Sequence, residues 1–135
     1  MEVWGVNSLD YPSQTVLYVS PEMITNEDVK NIIDFQNKEH ILDLLGESDL
    51  KTYFDNQKLH IAKDYQTKEL IGFMCEKIEE DEDKIDYYFI KHYRHKLRVL
   101  KKLLYFIYDE EITDNFIKNF KNQDKKQNLI YSYKH

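Results

Sequence analysis

Apolar residues along this chain fall into runs whose period changes from strand-like to helical and back. Val3–Val6 and Thr15–Val19 are short β-rich runs, and we expect the first to form an edge strand. Leu59–Lys63, Glu69–Ile78 and Ile85–Ile90 follow later, and the middle run is apolar enough for a central strand buried on both faces. The connections between these three runs are short, which predicts an antiparallel meander.

A helical segment is predicted between the two groups of strands. Thr25 is expected to begin it, because Asp28 three residues later completes an acidic variant of the capping box. Helical spacing then continues through Val29, Ile32, Ile33 and Gln36, and an apolar surface through Ile41, Leu42, Leu44 and Leu45. Gly46 is expected to stop the helix at its C-terminus. The segment is either one bent helix or two short ones.

The last third of the chain returns to helical periodicity. Arg94–Tyr108 is predicted to be an amphipathic helix whose apolar face carries Leu97, Leu100, Leu104 and Ile107. Thr113 is expected to cap a short helix, Lys121–Gln127 to form a polar turn, and Leu129–Tyr133 to form a last strand. The whole order predicts an α+β fold with a mostly antiparallel central sheet covered by helices.

The overall composition narrows the possible classes of protein. The chain has 135 residues, a formal net charge of −6 and a single cysteine, Cys75. This length suits one domain spanning residues 1–135. A single cysteine excludes an internal disulfide and a cysteine-rich zinc site. The acidic balance argues against general nucleic-acid binding, although a local basic patch can still exist.

Two further patterns bear on location. The sequence has no run of about 18 apolar residues, so we expect no membrane span. It has no positively charged start followed by an apolar stretch, so we expect no signal peptide. With the single cysteine, the expected location is a reducing cytosol, or a particle assembled there.

Three segments resemble the GNAT superfamily of N-acetyltransferases. Leu59–Ala62 and Glu69–Met74, which reads ELIGFM, look like the central hairpin of that family. Ile85–Ile90 looks like the strand that opens to hold acetyl-CoA, and His92–Leu104 is similar to the pyrophosphate loop and the helix that follows it. The resemblance implies a GNAT-like fold. In size and composition the chain also resembles small GNAT-like proteins of phages, including internal virion proteins of short-tailed phages.

The pyrophosphate loop departs from the family pattern. That pattern is Gln or Arg, two residues, Gly, one residue, and Gly or Ala, because small residues let backbone N–H groups approach the phosphates. With Arg94 in the first position, Leu97 and Val99 occupy the two small positions. Their side chains obstruct the phosphates, so we expect no cofactor. If acetyl-CoA does bind, the resemblance implies that Arg94, His95, Lys96 and Arg98 hold it.

The segment Lys91–Lys102 is basic and contains no acidic residue. Two interpretations stay open: a solvated helix face, and a site for an anion or an acidic partner surface. In the second case the predicted partner-binding residues are Lys91, Arg94, Arg98, Lys101 and Lys102. The acidic segment Glu76–Asp86 is best interpreted as a solvated hairpin tip, since it has no glycine for a calcium loop and we expect no metal.

A few residues could support chemistry. Under the acetyltransferase alternative, Asp86 is a candidate general base, and Tyr131 or Tyr133 is a candidate acid for the leaving thiolate. Cys75 is expected to pack inside the central strand. His60 lies in a neighbouring predicted strand, but no third group is evident that would orient a Cys–His pair.

Three functions are compatible with these observations. The first is a non-catalytic GNAT-like interaction or structural protein, a phage virion component or phage accessory protein, whose partner is another protein or further copies of itself. The alternative is an acetyl-CoA-dependent N-acetyltransferase acting on an amine. A weaker third function is a nucleic-acid accessory protein that uses the basic helix.

Overall fold

The computed structural model of the chain describes residues 2–6, 13–41, 43–80, 84–127 and 132–134. From residue 119 onward, the structure describes only the backbone of these residues. The predicted positions Leu42, Leu129 and Tyr131, and residues 81–83 of the predicted acidic hairpin tip, lie outside the described residues.

Within the described residues, six strands form one sheet in chain order, and every neighbouring pair is antiparallel. The strands are β1 (Glu2–Val6), β2 (Gln14–Val19), β3 (Leu59–Asp64), β4 (Leu70–Glu76), β5 (Ile85–Ile90) and β6 (Ser132–Lys134). β1 lies at an edge of this sheet, as predicted, and β3, β4 and β5 form the predicted meander. The central strand β4 is buried on both faces, because helices pack on both sides of the sheet.

In the part of the chain that the structure describes, four α-helices cover the sheet, two on each face. They are α1 (Asn26–Lys38), α2 (Glu47–Asp55), α3 (Lys96–Leu104) and α4 (Glu110–Gln127). One core cluster joins Ile32 of α1 and Leu50 of α2 to Phe73 of β4. The other joins Leu100 of α3 and Ile117 of α4 to Met74, the next residue of β4. Successive residues of a strand point to opposite faces, so one strand serves both cores. The predicted α+β class and antiparallel sheet are confirmed.

The start of α1 follows the predicted capping box. Thr25 Oγ1 accepts a hydrogen bond from the backbone N–H of Asp28 at 3.3 Å, and the N–H of Thr25 donates to Asp28 Oδ2 at 2.9 Å. These two bonds satisfy N–H groups that a helix N-terminus leaves without intrahelical partners.

The predicted stop at Gly46 is wrong. α1 already ends at Lys38, and the chain turns at His40, whose φ of 54° lies in the left-handed region. Gly46 instead precedes α2 as its N-cap, with extended backbone angles. The apolar residues Ile41 and Leu45 are buried in the connection, so the apolar pattern continues although the helix does not.

A buried amide stabilises this connection. The side chain of Gln36 on α1 accepts from the N–H of Leu45 at 2.8 Å and donates to the carbonyl oxygen of the same residue at 3.0 Å. Gln36 is 1% exposed. Leu45 lies outside any helix or strand, so its buried N–H and C=O have no partners from regular secondary structure. The Gln36 amide supplies those partners.

The C-terminal helices differ from prediction at their ends. α3 is shorter than the predicted Arg94–Tyr108 helix, and residues 105–108 form turns after it. Thr113 is not a cap but a buried residue in the first turn of α4, and the side chain of Asp109 accepts the N–H of Ile112 there. The predicted polar turn Lys121–Gln127 is helical.

Gly72 allows β4 and β5 to lie side by side. A Cβ atom at this position would lie 2.7 Å from the carbonyl oxygen of Phe89 and 2.8 Å from Cγ1 of Ile90. No real side chain tolerates such contacts, so the glycine of the ELIGFM run has a packing role in this sheet.

None of the helices in the described part of the chain is long and apolar enough to cross a membrane.

Candidate functional site

The helix α3 separates its residues sharply by polarity. Val99, Leu100, Leu103 and Leu104 are fully buried against the sheet. Arg98 is exposed, and Lys101 and Lys102 are half-buried with it on the outer side. Apolar positions spaced three and four apart produce one buried stripe, which leaves the basic residues facing away from the core.

The outer side of α3 meets the edge strand β1 at a shallow depression. Its volume is about 270 Å³, and its lining comprises Gly5, Val6, Arg98, Lys101, Lys102 and Tyr105. We call this set of residues the basic edge. It combines three cationic side chains with an aromatic ring and with the backbone of an edge strand.

Lys101 has partners within the basic edge and beside it. Its Nζ lies 3.4 Å from Oδ1 of Asp114 on α4 and 5.7 Å from the ring centroid of Tyr105. Hydrogen bonding to Tyr105 and to Asp114 raises the pKa of Lys101, so its ammonium stays charged. Asp114 offsets part of that charge, which leaves Arg98 and Lys102 as the main cationic groups of the depression.

Two of the predicted anion-binding residues are buried. His95, the N-cap of α3, is 0% exposed, and Lys96, its first residue, is 4% exposed. The ring of Tyr93 packs edge-on against His95, with centroids 5.8 Å apart. This placement removes both side chains from the outer surface, so neither is available there to bind an anion.

The two positions where the family pattern requires small residues are occupied by packed side chains. Val99 is fully buried, and Leu97 is half-buried against the same core cluster. The first turn of α3 is therefore anchored through these side chains to the sheet.

The five predicted partner-binding residues do not form one patch. Arg98, Lys101 and Lys102 lie together at the basic edge. Arg94 is exposed in the turn before α3. Lys91 lines a separate cavity of about 290 Å³ at the α1 side of the sheet, together with Lys63 and Lys68.

Asp86 is held by a tyrosine on the opposite face from α3. The hydroxyl of Tyr53 on α2 donates a hydrogen bond to Oδ2 of Asp86. A β-bulge lies here, since Cys75 pairs with Tyr87 and Glu76 pairs with Ile85, which leaves Asp86 as the extra residue. A bulge redirects a side chain, and this one directs a carboxylate toward α2.

The remaining chemical candidates are placed apart. Cys75 is fully buried, as predicted, and burial raises the pKa of its thiol, with a further contribution from the charge of Asp86. Cys75 is paired with Leu59 in the sheet, whereas His60 is paired with Met74, so the thiol and the imidazole belong to opposite faces. Tyr133 lies in β6 opposite Tyr88.

A buried hydrogen-bond chain that the sequence did not predict crosses three strands. The hydroxyl of Tyr18 lies 2.8 Å from Nδ1 of His60, and Nε2 of His60 lies 2.8 Å from Oε2 of Glu76. Tyr18 and His60 are each 4% exposed. The one local signal was a histidine within the otherwise apolar start of β3, between Leu59 and Ile61.

The ionisation states of Glu76 and Tyr18, the two ends of this hydrogen-bond chain, follow from their surroundings. Burial raises the pKa of Glu76, but the hydrogen bond from His60 and the charge of that imidazole outweigh burial and lower it overall. Burial also raises the pKa of Tyr18 far above its ordinary value, so its phenol is neutral. Glu76 is therefore the anionic end of the chain and Tyr18 is the neutral end.

Tyr18 and His60 line a cavity of about 420 Å³. The other lining residues are Glu2, Ser20, Pro21, Glu22 and Phe106. We call it the aromatic cavity, because the rings of Phe106 and Tyr18 stack with centroids 3.9 Å apart and planes inclined by 8°.

The described residues contain no group of three His, Cys, Asp or Glu side chains placed to hold a metal ion. Comparison of the chain with protein-family models, with curated proteins and with solved structures finds no match.

Proposed function

We propose that the chain is a non-catalytic interaction module that binds an acidic, extended segment of another protein at the basic edge. The observation that carries the proposal is the position of Arg98 and Lys102 beside the open edge strand β1. The sequence resemblance adds to the proposal a GNAT-like fold and a role as a phage virion component or phage accessory protein.

The edge strand offers backbone hydrogen bonds. β1 is terminal in the strand order, and within the described part of the chain it pairs with β2 alone. A strand at the edge of a sheet has N–H and C=O groups directed outward, and an extended peptide can pair with them as an added strand. Val3 on β1 is half exposed, at 50%, so an added strand would also cover apolar surface.

The charge of the basic edge selects the partner. The basic edge places the cationic groups of Arg98, Lys101 and Lys102 beside Gly5 and Val6 at the end of β1. Carboxylates on an added strand would lie next to them, whereas lysines or arginines on such a strand would be repelled. The exposed ring of Tyr105 suits a protein interface, where aromatic residues are enriched.

The packing at α3 favours binding of a protein segment over binding of CoA. Close approach of a diphosphate to the amides of the first turn requires small side chains at positions 97 and 99. Leu97 and Val99 are instead packed into the core, where a shift of either side chain would open a gap.

The experiment uses a fluorescent peptide of alternating glutamate and valine, with fluorescence anisotropy as the readout. We expect saturable binding that weakens about tenfold or more in the double variant Arg98→Glu, Lys102→Glu. The matched control is Lys30→Glu, Lys51→Glu, which reverses two exposed charges on the opposite face. Equal loss in both double variants would mean that only net charge matters and would overturn the proposal.

The acetyltransferase alternative is tested in parallel by calorimetry with acetyl-CoA. We expect no saturable binding, because Leu97 and Val99 occupy the positions nearest the phosphates. Micromolar binding that is lost in Arg94→Glu would replace the proposed function by the enzymatic one.

A further inference from the structure

We propose that the aromatic cavity binds the guanidinium group of an arginine side chain. This site is separate from the basic edge and does not depend on the function proposed for it. Three features of the cavity lead to the same ligand: its charge, its stacked rings, and the direction of the hydrogen-bond chain that ends in it.

Two carboxylates lie at the mouth of the cavity. Glu2 comes from β1 and Glu22 from the short 3₁₀ helix Pro21–Met23, and among the described residues the lining includes no lysine or arginine. The hydroxyl of Ser20 donates to Glu22 Oε1 at 2.7 Å, and this bond lowers the pKa of Glu22. A cation entering the cavity would therefore meet an ionised carboxylate that Ser20 already orients.

Two stacked rings, Phe106 and Tyr18, line the cavity, and Trp4 packs against them outside the lining. Phe106 stacks on Tyr18, and the indole of Trp4 lies 6.4 Å from Phe106 and 6.3 Å from Tyr18, centroid to centroid. Phe106 remains 41% exposed. An exposed aromatic ring attracts a cation, and a planar guanidinium can also stack on it.

The hydrogen-bond chain presents an acceptor to the cavity. Because the Glu76 carboxylate can only accept, Nε2 of His60 carries the proton and donates to it. When the imidazole is neutral, its Nδ1 accepts the O–H of Tyr18. The phenol oxygen keeps lone pairs for a further donor, which suits a ligand that only donates.

A guanidinium meets all three features better than an ammonium does. It has five N–H donors in a planar arrangement that matches carboxylates, it stacks on rings, and it is less strongly hydrated than an ammonium. An ammonium is a compact, strongly hydrated charge, so it gains less from the stacked wall. The cavity volume of about 420 Å³ accommodates the end of an arginine side chain together with water.

The test is a fluorescence titration, because Trp4 is the only tryptophan in the chain and contacts the stacked rings. The probes are Nα-acetyl-arginine amide, its lysine counterpart, and its citrulline counterpart, which is a neutral isostere of arginine. At constant ionic strength we expect the arginine probe to bind about fivefold or more tightly than the lysine probe, and the citrulline probe not to saturate. Equal binding of arginine and citrulline probes, or tighter binding of lysine, would overturn the inference.

Variants locate the site. We expect Glu22→Gln and Phe106→Leu each to weaken the arginine probe about fivefold. The matched control is Glu79→Gln, which removes one exposed carboxylate outside the cavity and should leave affinity unchanged. Unchanged binding in Glu22→Gln would overturn the inference even if Phe106→Leu were unstable.

Two further comparisons identify the source and separate this site from the basic edge. Agmatine, a free guanidine without peptide groups, is titrated beside the arginine probe. The tighter ligand of the two shows whether the bound guanidinium belongs to a small molecule or to an arginine side chain. Arg98→Glu, Lys102→Glu should abolish binding of the acidic peptide but retain binding of arginine. A loss of both ligands in that variant would contradict the assignment of two separate sites.

Discussion

Nζ of Lys63 on β3 lies 2.7 Å from Oδ1 of Asp28 in the first turn of α1. The same carboxylate accepts the N–H of Thr25 through Oδ2. One acidic side chain therefore completes the helix cap and joins α1 to the sheet.

This double role predicts an acid-dependent loss of stability. Burial raises the pKa of Asp28, but the hydrogen bonds from Lys63 and from Thr25, with the charge of Lys63, outweigh burial and lower it. The unfolded chain therefore binds this proton more readily. The stabilising contribution is present above the unfolded pKa of about 3.9 and is lost as the pH falls through the lower folded pKa.

The measurement is the free energy of unfolding in urea between about pH 2 and pH 7 for wild type and Asp28→Asn. We expect the variant to be less stable by about 1–3 kcal/mol at neutral pH, and the difference to shrink on acidification. A difference that stayed constant with pH would show that the charge of Asp28 contributes nothing. Lys63→Met and the double variant separate the ion pair from the cap.

Several elements were predictable because their signals are local. β4 follows from a continuous apolar run, and the α1 cap from Thr25 and Asp28 three residues apart. The end of α1 was not predictable in this way. The turn at His40 uses a left-handed backbone without glycine, and the apolar residues Ile41 and Leu45 continue the pattern beyond the helix. Pairing of Gln36 with Leu45 stabilises that turn, and such a contact is not visible in hydrophobic periodicity.

The candidate sites were predictable only in part, for a related reason. The basic side of α3 follows from helical spacing, but its position beside β1 depends on how α3 packs on the sheet. The chain from Tyr18 through His60 to Glu76 depends on the registers of two strand pairs, which place Tyr18 opposite Ala62 and His60 opposite Met74. Registers are set by long-range pairing, and a shift of one residue would move every side chain of the strand to the opposite face of the sheet.

The amide of Gln36 provides a second prediction. Gln36→Leu keeps a similar volume but leaves the buried N–H and C=O of Leu45 without their partners. Each unsatisfied buried group costs about 1–3 kcal/mol, so we expect a loss of about 2–5 kcal/mol in the free energy of unfolding. Gln66→Leu, at an exposed turn position, is the matched control and should change stability by about 0.5 kcal/mol or less. Similar losses in the two variants would show that the hydrogen bonds of Gln36 to Leu45 do not stabilise the fold.

The buried thiol of Cys75 provides a third prediction. A thiol reacts as its thiolate, and both burial and the raised pKa suppress that form in the native protein. We expect labelling by a disulfide reagent to be slow and to accelerate with urea in parallel with unfolding followed by circular dichroism. Lys30→Cys in a Cys75→Ala background supplies an exposed thiol for comparison. Labelling of native Cys75 as fast as that thiol would contradict its placement in the core.

The contact between Gly72 and β5 provides the last prediction. In Gly72→Ala the new methyl group would lie 2.7 Å from the carbonyl oxygen of Phe89, so the two central strands must move apart. Overpacking of this kind costs about 1–3 kcal/mol, and we expect at least that loss in the free energy of unfolding measured in urea. Gly5→Ala is the control, since nothing lies within 4 Å of a Cβ there, and it should be neutral or slightly stabilising. If Gly72→Ala were as stable as Gly5→Ala, then β4 and β5 could not be packed as closely as the structure has them.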